Sequence, residues 1–166
     1  MILILGRFQP LHKGHMKVIQ DAYAEDKGLA IVIGSTDKEN TKENPFSAEE
    51  RKQMIEEALK AENITADIFL VPDINLDSEY VEHLEDNIGH RPEKIITEND
   101  DTIRLFKDAG YDIITTPRHF DISATEVRLR IAKGEEWRGF LPAPVIKILE
   151  EIDGVARIKR LYPVEK

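Results

Sequence analysis

An unbroken apolar run, Met1 to Leu5, leads into the turn Gly6-Arg7-Phe8-Gln9-Pro10-Leu11-His12-Lys13-Gly14-His15, and then into a segment up to Asp26 whose apolar residues Val18, Ile19, Ala22 and Tyr23 recur at helical spacing. A continuous apolar run suits a strand buried on both faces, and the period that follows suits an amphipathic helix. The turn is therefore a strand-to-helix junction. Unpaired N–H groups at a helix N-terminus, together with the positive end of its dipole, make such a junction an anion site. Arg7 and Lys13 add charge there, Pro10 stiffens the approach, and Gly14 leaves room for a phosphate beside the backbone. If the helix begins near Lys13, His12 and His15 can face the same anion. The competing reading is a polar turn that happens to hold two histidines.

The rest of the chain repeats the alternation. Gly28 closes the first helix, and Leu29 to Ile33 reads as a second buried strand ending at Gly34-Ser35. Thr36 to Pro45 is a polar loop long enough to lie over a site, and Ser47 with Glu50 forms a capping box for a helix that buries Met54, Ile55, Ala58 and Leu59. Further strands are expected at Asp67 to Pro72, Lys94 to Thr97 and Tyr111 to Thr115, and helices at Tyr80 to Ile88 and Thr102 to Ala109. From Ile122 to Ile158 the pattern is helical, with helices expected at Ser123 to Lys133 and Ala143 to Ile152. The alternation predicts an α/β fold: a five-stranded, mainly parallel sheet with helices on both faces, in one domain over 1–166 whose helical C-terminal part spans about 122–166. Ligands of such sheets bind beyond the carboxyl ends of the strands, and the Gly6 to His15 turn lies at one of these ends.

Charge narrows the partners. With 23 basic against 32 acidic residues, a formal charge of −9 argues against nucleic acid or an anionic membrane as a general partner, so an anionic ligand needs a local basic patch. The absence of cysteine excludes thiolate metal sites, cysteine nucleophiles and disulfides. No apolar run approaches the ~18 residues of a membrane span, and Arg7 interrupts the first one too early for a signal peptide, so a cytoplasmic protein is expected.

A second constellation is Ile122-Ser123-Ala124-Thr125-Glu126-Val127-Arg128, where Ser123 and Glu126 again match a capping box. Arg128 and Arg130 oppose the dipole in the first turns of that helix, which a bound anion such as a triphosphate would explain. His83 and His90 read as exposed, His119 as part of a solvated loop beside Arg118, and Trp137 as a packing residue.

The first motif is similar to the GRxQPxHxGH signature of the nucleotidylyltransferase superfamily, and the second resembles its ISxTxxR signature. Asn44 to Arg51, Glu136-Trp137-Arg138, Leu141-Pro142 and the stretch from Ile152 to Lys159 resemble the archaeal nicotinamide-nucleotide adenylyltransferases, so the likeness covers nearly the whole chain. It implies a Rossmann-like sheet and attack by the phosphate of nicotinamide mononucleotide (NMN) on the α-phosphorus of ATP, giving NAD and pyrophosphate. By the same resemblance His12, His15 and Arg128 are catalytic. Gly6, Arg7, Phe8, Gln9, Lys13, Gly14, Ser123, Ala124 and Thr125 bind the nucleotide, and Tyr80, Lys42 and Asn99 bind the acceptor. Mg²⁺ is expected through phosphate oxygens and water, with no protein ligand for it, and a homo-oligomer, as large as a hexamer, is expected. The chain departs from the family at Glu43-Asn44, where a basic residue and an aspartate are usual, at Tyr80 in place of tryptophan, and at Glu98 in place of glycine. All three departures lie toward the acceptor. Two other readings stay open: transfer to nicotinate mononucleotide or another phosphorylated metabolite, and a sensor that holds ATP or NAD without turnover.

Overall fold

The computed structural model describes residues 1–74, 77–114 and 122–163. Its elements run β1 (Ile2–Gly6), α1 (Lys13–Glu25), β2 (Leu29–Ile33), α2 (Ala48–Ala61), β3 (Asp67–Leu70), α3 (Asp77–Ile88), β4 (Lys94–Ile96), α4 (Asp100–Asp108), β5 (Asp112–Ile114), α5 (Ala124–Lys133), α6 (Ala143–Glu151) and α7 (Gly154–Leu161), with a 3-10 turn at Arg138–Phe140. The five strands pair in parallel in the order β3-β2-β1-β4-β5. The order reverses beside β1, so a crevice opens between the carboxyl ends of β1 and β4.

Side chains alternate across the strands with period two and sort into two cores. Ile2, Ile4, Ile31, Ile33 and Ile96 face one side, sealed by Met16 and Ile19 of α1, Met54 and Ile55 of α2, and apolar residues of α5, α6 and α7. Leu3, Ala30, Val32 and Ile95 face the other, against Leu84 and Ile88 of α3 and Phe106 of α4. Every residue of β2 is buried, as the unbroken apolar run requires of a strand covered on both faces.

Most starts and stops follow local chemistry. Ser47 and Glu50 bond each other's backbone N–H reciprocally, so α2 begins where its capping box places it. At α5 only half of the expected box forms: Ser123 Oγ accepts the Glu126 N–H at 3.1 Å, but the Glu126 carboxylate turns to Arg130 Nε at 3.0 Å. Arg130 therefore has a partner on its own helix, which removes the need for an anion there. The helix α3 starts at Asp77, earlier than its apolar spacing indicates, with Asp77 and Glu79 in its first turn as the dipole favours. A further helix, α7, follows α6 directly. Asp153 makes the turn between them at φ 54, and a Cβ on Gly154 would lie 2.7 Å from Leu149 Cδ2. Thr115, Arg118 and His119 lie outside the described residues. Among the described residues no helix is long and apolar enough to cross a membrane.

Candidate active site

The N-terminus of α1 is closed by its histidines. His12 is the N-cap and His15 stands at the third helical position. His12 Nδ1 accepts the His15 N–H at 3.3 Å, and His15 Nδ1 accepts the His12 N–H at 3.1 Å, the role usually shared by a hydroxyl and a carboxylate. With both Nδ1 atoms spent as acceptors, the proton of either neutral ring sits on Nε2. The rings stack with centroids 3.6 Å apart, and Phe8 stands edge-on to His15 at 4.9 Å. Phe8 adopts a left-handed φ of 53°, and its ring passes so close to Gly6 that a Cβ there would lie 3.1 Å away. The glycine that opens the motif thus makes room for the aromatic that seats His15.

Burial, and then the like charge of His12, hold the His15 imidazole well below its ordinary value of 6.5. In the free protein His15 is a neutral Nε2–H donor rather than a fixed cation. Below about pH 6.5 the unfolded chain binds a proton that the folded chain refuses, so stability falls as pH drops through that value. Urea unfolding at pH 7.5 and pH 5.5 checks this: the loss between the two is expected to shrink in His15→Asn, and an unchanged loss would contradict it.

Arg128 approaches from α5. It is only 3% exposed, yet its three partners are neutral: Nε donates to the Tyr162 hydroxyl at 3.0 Å, Nη1 to the Gln9 carbonyl at 2.9 Å and Nη2 to Thr125 Oγ1 at 3.3 Å. Among the described residues its charge is held in place without an acidic partner. The Gln9 side chain is spent elsewhere, since its amide pairs with the Phe46 backbone through Nε2 at 3.1 Å and Oε1 at 3.0 Å. It secures the loop before α2 to the first motif.

A cavity of about 1050 Å³ opens at the crevice. Of the expected nucleotide residues it is lined by Gly6, Arg7, Phe8, Gln9, His15, Ala124, Thr125 and Arg128, and of the expected acceptor residues by Tyr80 and Asn99. His12, Gly14 and Ser123 build the helix starts behind this wall, and Lys13 is exposed at the first position of α1. Lys42 sits apart from the cavity, its ammonium 5.0 Å from the centre of the Tyr162 ring. Tyr80 forms both wall and core, packing edge-on to Phe106 at 6.2 Å. Burial, and then Asp73, push its hydroxyl up to about 12. Asn99 caps α4 by accepting the Thr102 N–H at 3.0 Å.

Several lining residues have no counterpart in the sequence-level candidates: Ser35, Lys38, Asp73, Asp101 and Arg104. Ser35 Oγ donates to the Asp73 carboxylate at 3.0 Å and Lys38 Nζ pairs with it at 2.8 Å, joining the segments that follow β2 and β3. The signal that could have found them is position, as polar residues directly after the carboxyl ends of parallel strands. Glu98, the second residue past β4, also lines the cavity.

With this geometry in view, comparison with known proteins gives a consistent result. The cytidylyltransferase-like family model matches residues 3–130. A nicotinamide-nucleotide adenylyltransferase of Pyrococcus horikoshii is 35% identical over 96% of this chain and 87% of its own length. One from Thermoplasma volcanium is 35% identical over 98% of this chain and 93% of its own. Among solved structures, a bifunctional NMN adenylyltransferase/ADP ribose pyrophosphatase of Francisella tularensis, complexed with AMP and a manganese ion, superposes with a TM-score of 0.69 at 26% identity. It matches 99% of this chain, which spans 57% of that longer protein. The chain belongs to the cytidylyltransferase-like family and, within it, to the nicotinamide-nucleotide adenylyltransferases.

Proposed function

We propose that this chain transfers the adenylyl group of ATP to nicotinamide mononucleotide. The observation that carries the reading is the histidine-capped N-terminus of α1, which opens with Arg7 and Arg128 onto one cavity at the reversal point of the sheet. A phosphomonoester with a second pKa of about 6 is largely dianionic at neutral pH, so the acceptor needs no general base. A bond forms between its phosphate oxygen and the α-phosphorus, the bond from the α-phosphorus to the β-phosphate bridging oxygen breaks, and pyrophosphate leaves with that electron pair. Alignment and charge stabilisation are then the protein's task.

The side chains divide that task. His15 donates through Nε2–H at the α-phosphate, supported by His12. Arg128 with Ala124 and Thr125 holds the β- and γ-phosphates, Ser123 caps the helix that carries them, and Arg7 positions the chain of phosphates. A divalent ion, Mg²⁺ by this reading, would enter with ATP, bound mainly through its phosphates, and would supply further charge neutralisation.

The acceptor end favours a carboxamide over a carboxylate on the pyridinium ring. Asp73, Asp77, Glu98 and Asp101 all line the cavity, and only Asp73 and Asp101 are ion-paired among the described residues, with Lys38 and Arg104. The negative charge of Asp77 and Glu98 disfavours nicotinate mononucleotide and leaves the carboxamide of its amide analogue unopposed. In the cell we place the enzyme in the cytoplasm as a homo-oligomer, as the family resemblance implies, and the formal charge of −9 disfavours a nucleic-acid partner. ATP labelled at the α-phosphate tests the chemistry: with NMN the label is expected in NAD, while label recovered only in ATP or AMP would overturn transfer in favour of a sensor or a hydrolase.

A further inference from the structure

Five N–H groups radiate from the Arg128 guanidinium, and three are engaged, by the Tyr162 hydroxyl, the Gln9 carbonyl and Thr125 Oγ1. Among the described residues two Nη–H groups are left over, on a side chain that lines the cavity. Which way they point depends on the plane of the guanidinium, and the Nε–H bond to Tyr162 is one of the three bonds that fix that plane. We infer that Tyr162 is a positioning residue, which orients Arg128 so that its two remaining donors meet the terminal phosphates of ATP. The inference rests on the reading of Arg128 as the triphosphate contact.

The construction around Tyr162 suits that task. It follows α7 directly and its N–H bonds the Ile158 carbonyl at 2.9 Å, so the ring is carried by an ordered helix end. It is 7% exposed, and the Lys42 ammonium lies 5.0 Å from its ring centre. A tyrosine hydroxyl can accept the Nε–H bond without neutralising the guanidinium, as a carboxylate at the same place would. Arg128 therefore keeps a full charge for an anionic ligand and a single orientation in which to present it. The residue lies 34 positions from Arg128 and outside both signatures, so the end of the C-terminal helix supports an arginine that the second signature supplies.

The test is Tyr162→Phe, which removes one oxygen and keeps the ring. The expected result is a rise of about 10-fold in KM for ATP, matched by a similar rise in the inhibition constant of inorganic tripolyphosphate, with KM for NMN changed less than about 2-fold. In an Arg128→Ala background the same substitution should add nothing further, because its effect acts through that arginine. Unchanged ATP and tripolyphosphate constants in Tyr162→Phe, or an equal further loss in the Arg128→Ala background, would overturn the positioning role while leaving Arg128 as the phosphate contact. If Arg128→Ala alone leaves both constants at the wild-type value, the reading of Arg128 fails first and the inference falls with it.

Discussion

His15→Ala is expected to lower kcat by about 10²- to 10³-fold while lowering the melting temperature by only a few degrees. The size of the kinetic loss is that of removing one preorganised donor to a developing charge. The small thermal loss has a separate cause, because His15 Nδ1 accepts the His12 N–H at 3.1 Å and its removal undoes half of a helix cap, worth about 1 kcal/mol. His15→Asn separates the two roles. Its short amide can still accept from the His12 N–H but cannot reach as far as Nε2, so the melting temperature should recover while kcat stays low. Activity and thermal stability that fall and recover together across both variants would make His15 a structural residue.

The largest effect on stability is expected at Arg51, which is completely buried in α2. All five of its N–H groups donate to backbone carbonyls: Nε to Ser47 at 3.2 Å, Nη1 to Arg7 at 3.0 Å and Gly34 at 2.8 Å, and Nη2 to Ser35 at 3.2 Å and Lys38 at 3.5 Å. It ties the ends of β1 and β2 and the loop beyond β2 to one point. Burial is the main force acting against its charge, with Arg7 adding repulsion. Arg51→Met removes the charge and takes a donor from each of these carbonyls, of which, among the described residues, only Ser47 and Ser35 keep a backbone N–H, from Arg51 and Lys38, at a cost of about 3–5 kcal/mol, equivalent to a fall of roughly 6–20 °C in melting temperature. Arg51→Lys restores only part of this, because three ammonium donors cannot reproduce a planar fork of five. Urea unfolding measures both variants, and a loss below about 1 kcal/mol in Arg51→Met would contradict the account. Arg7, Gly34, Ser35 and Lys38 also line the cavity, so weaker ATP binding should accompany the loss.

What could be read from the sequence was local. Leu29 to Ile33 is uniformly apolar and is followed by a turn, so β2 was legible to the residue; Ser47 and Glu50 made the start of α2 equally plain. The start of α1 at Lys13 was the condition for His12 and His15 to act together, and it is met. The reciprocal bonds between those histidines were not legible, because two imidazoles in a capping box leave no familiar pattern. Where the chain meets itself across long separations, local pattern had nothing to offer. Lys42, expected to face the acceptor, instead lies over a ring 120 residues away. The Gln9 side chain, expected at the nucleotide, braces the backbone of Phe46. Nothing near Arg51 signals that five carbonyls from separate segments will converge on it, and nothing near Tyr162 signals Arg128. Each of these is a polar group satisfied by tertiary structure alone.

Pyrophosphate release from ATP and Mg²⁺, measured side by side with no acceptor, with nicotinamide mononucleotide and with nicotinate mononucleotide, tests the central claim most directly. The account predicts negligible release without an acceptor, rapid release with nicotinamide mononucleotide together with an equal amount of NAD, and slower release with its nicotinate analogue. Release that is independent of acceptor, or absent with both acceptors in a folded protein that still binds ATP, would contradict it.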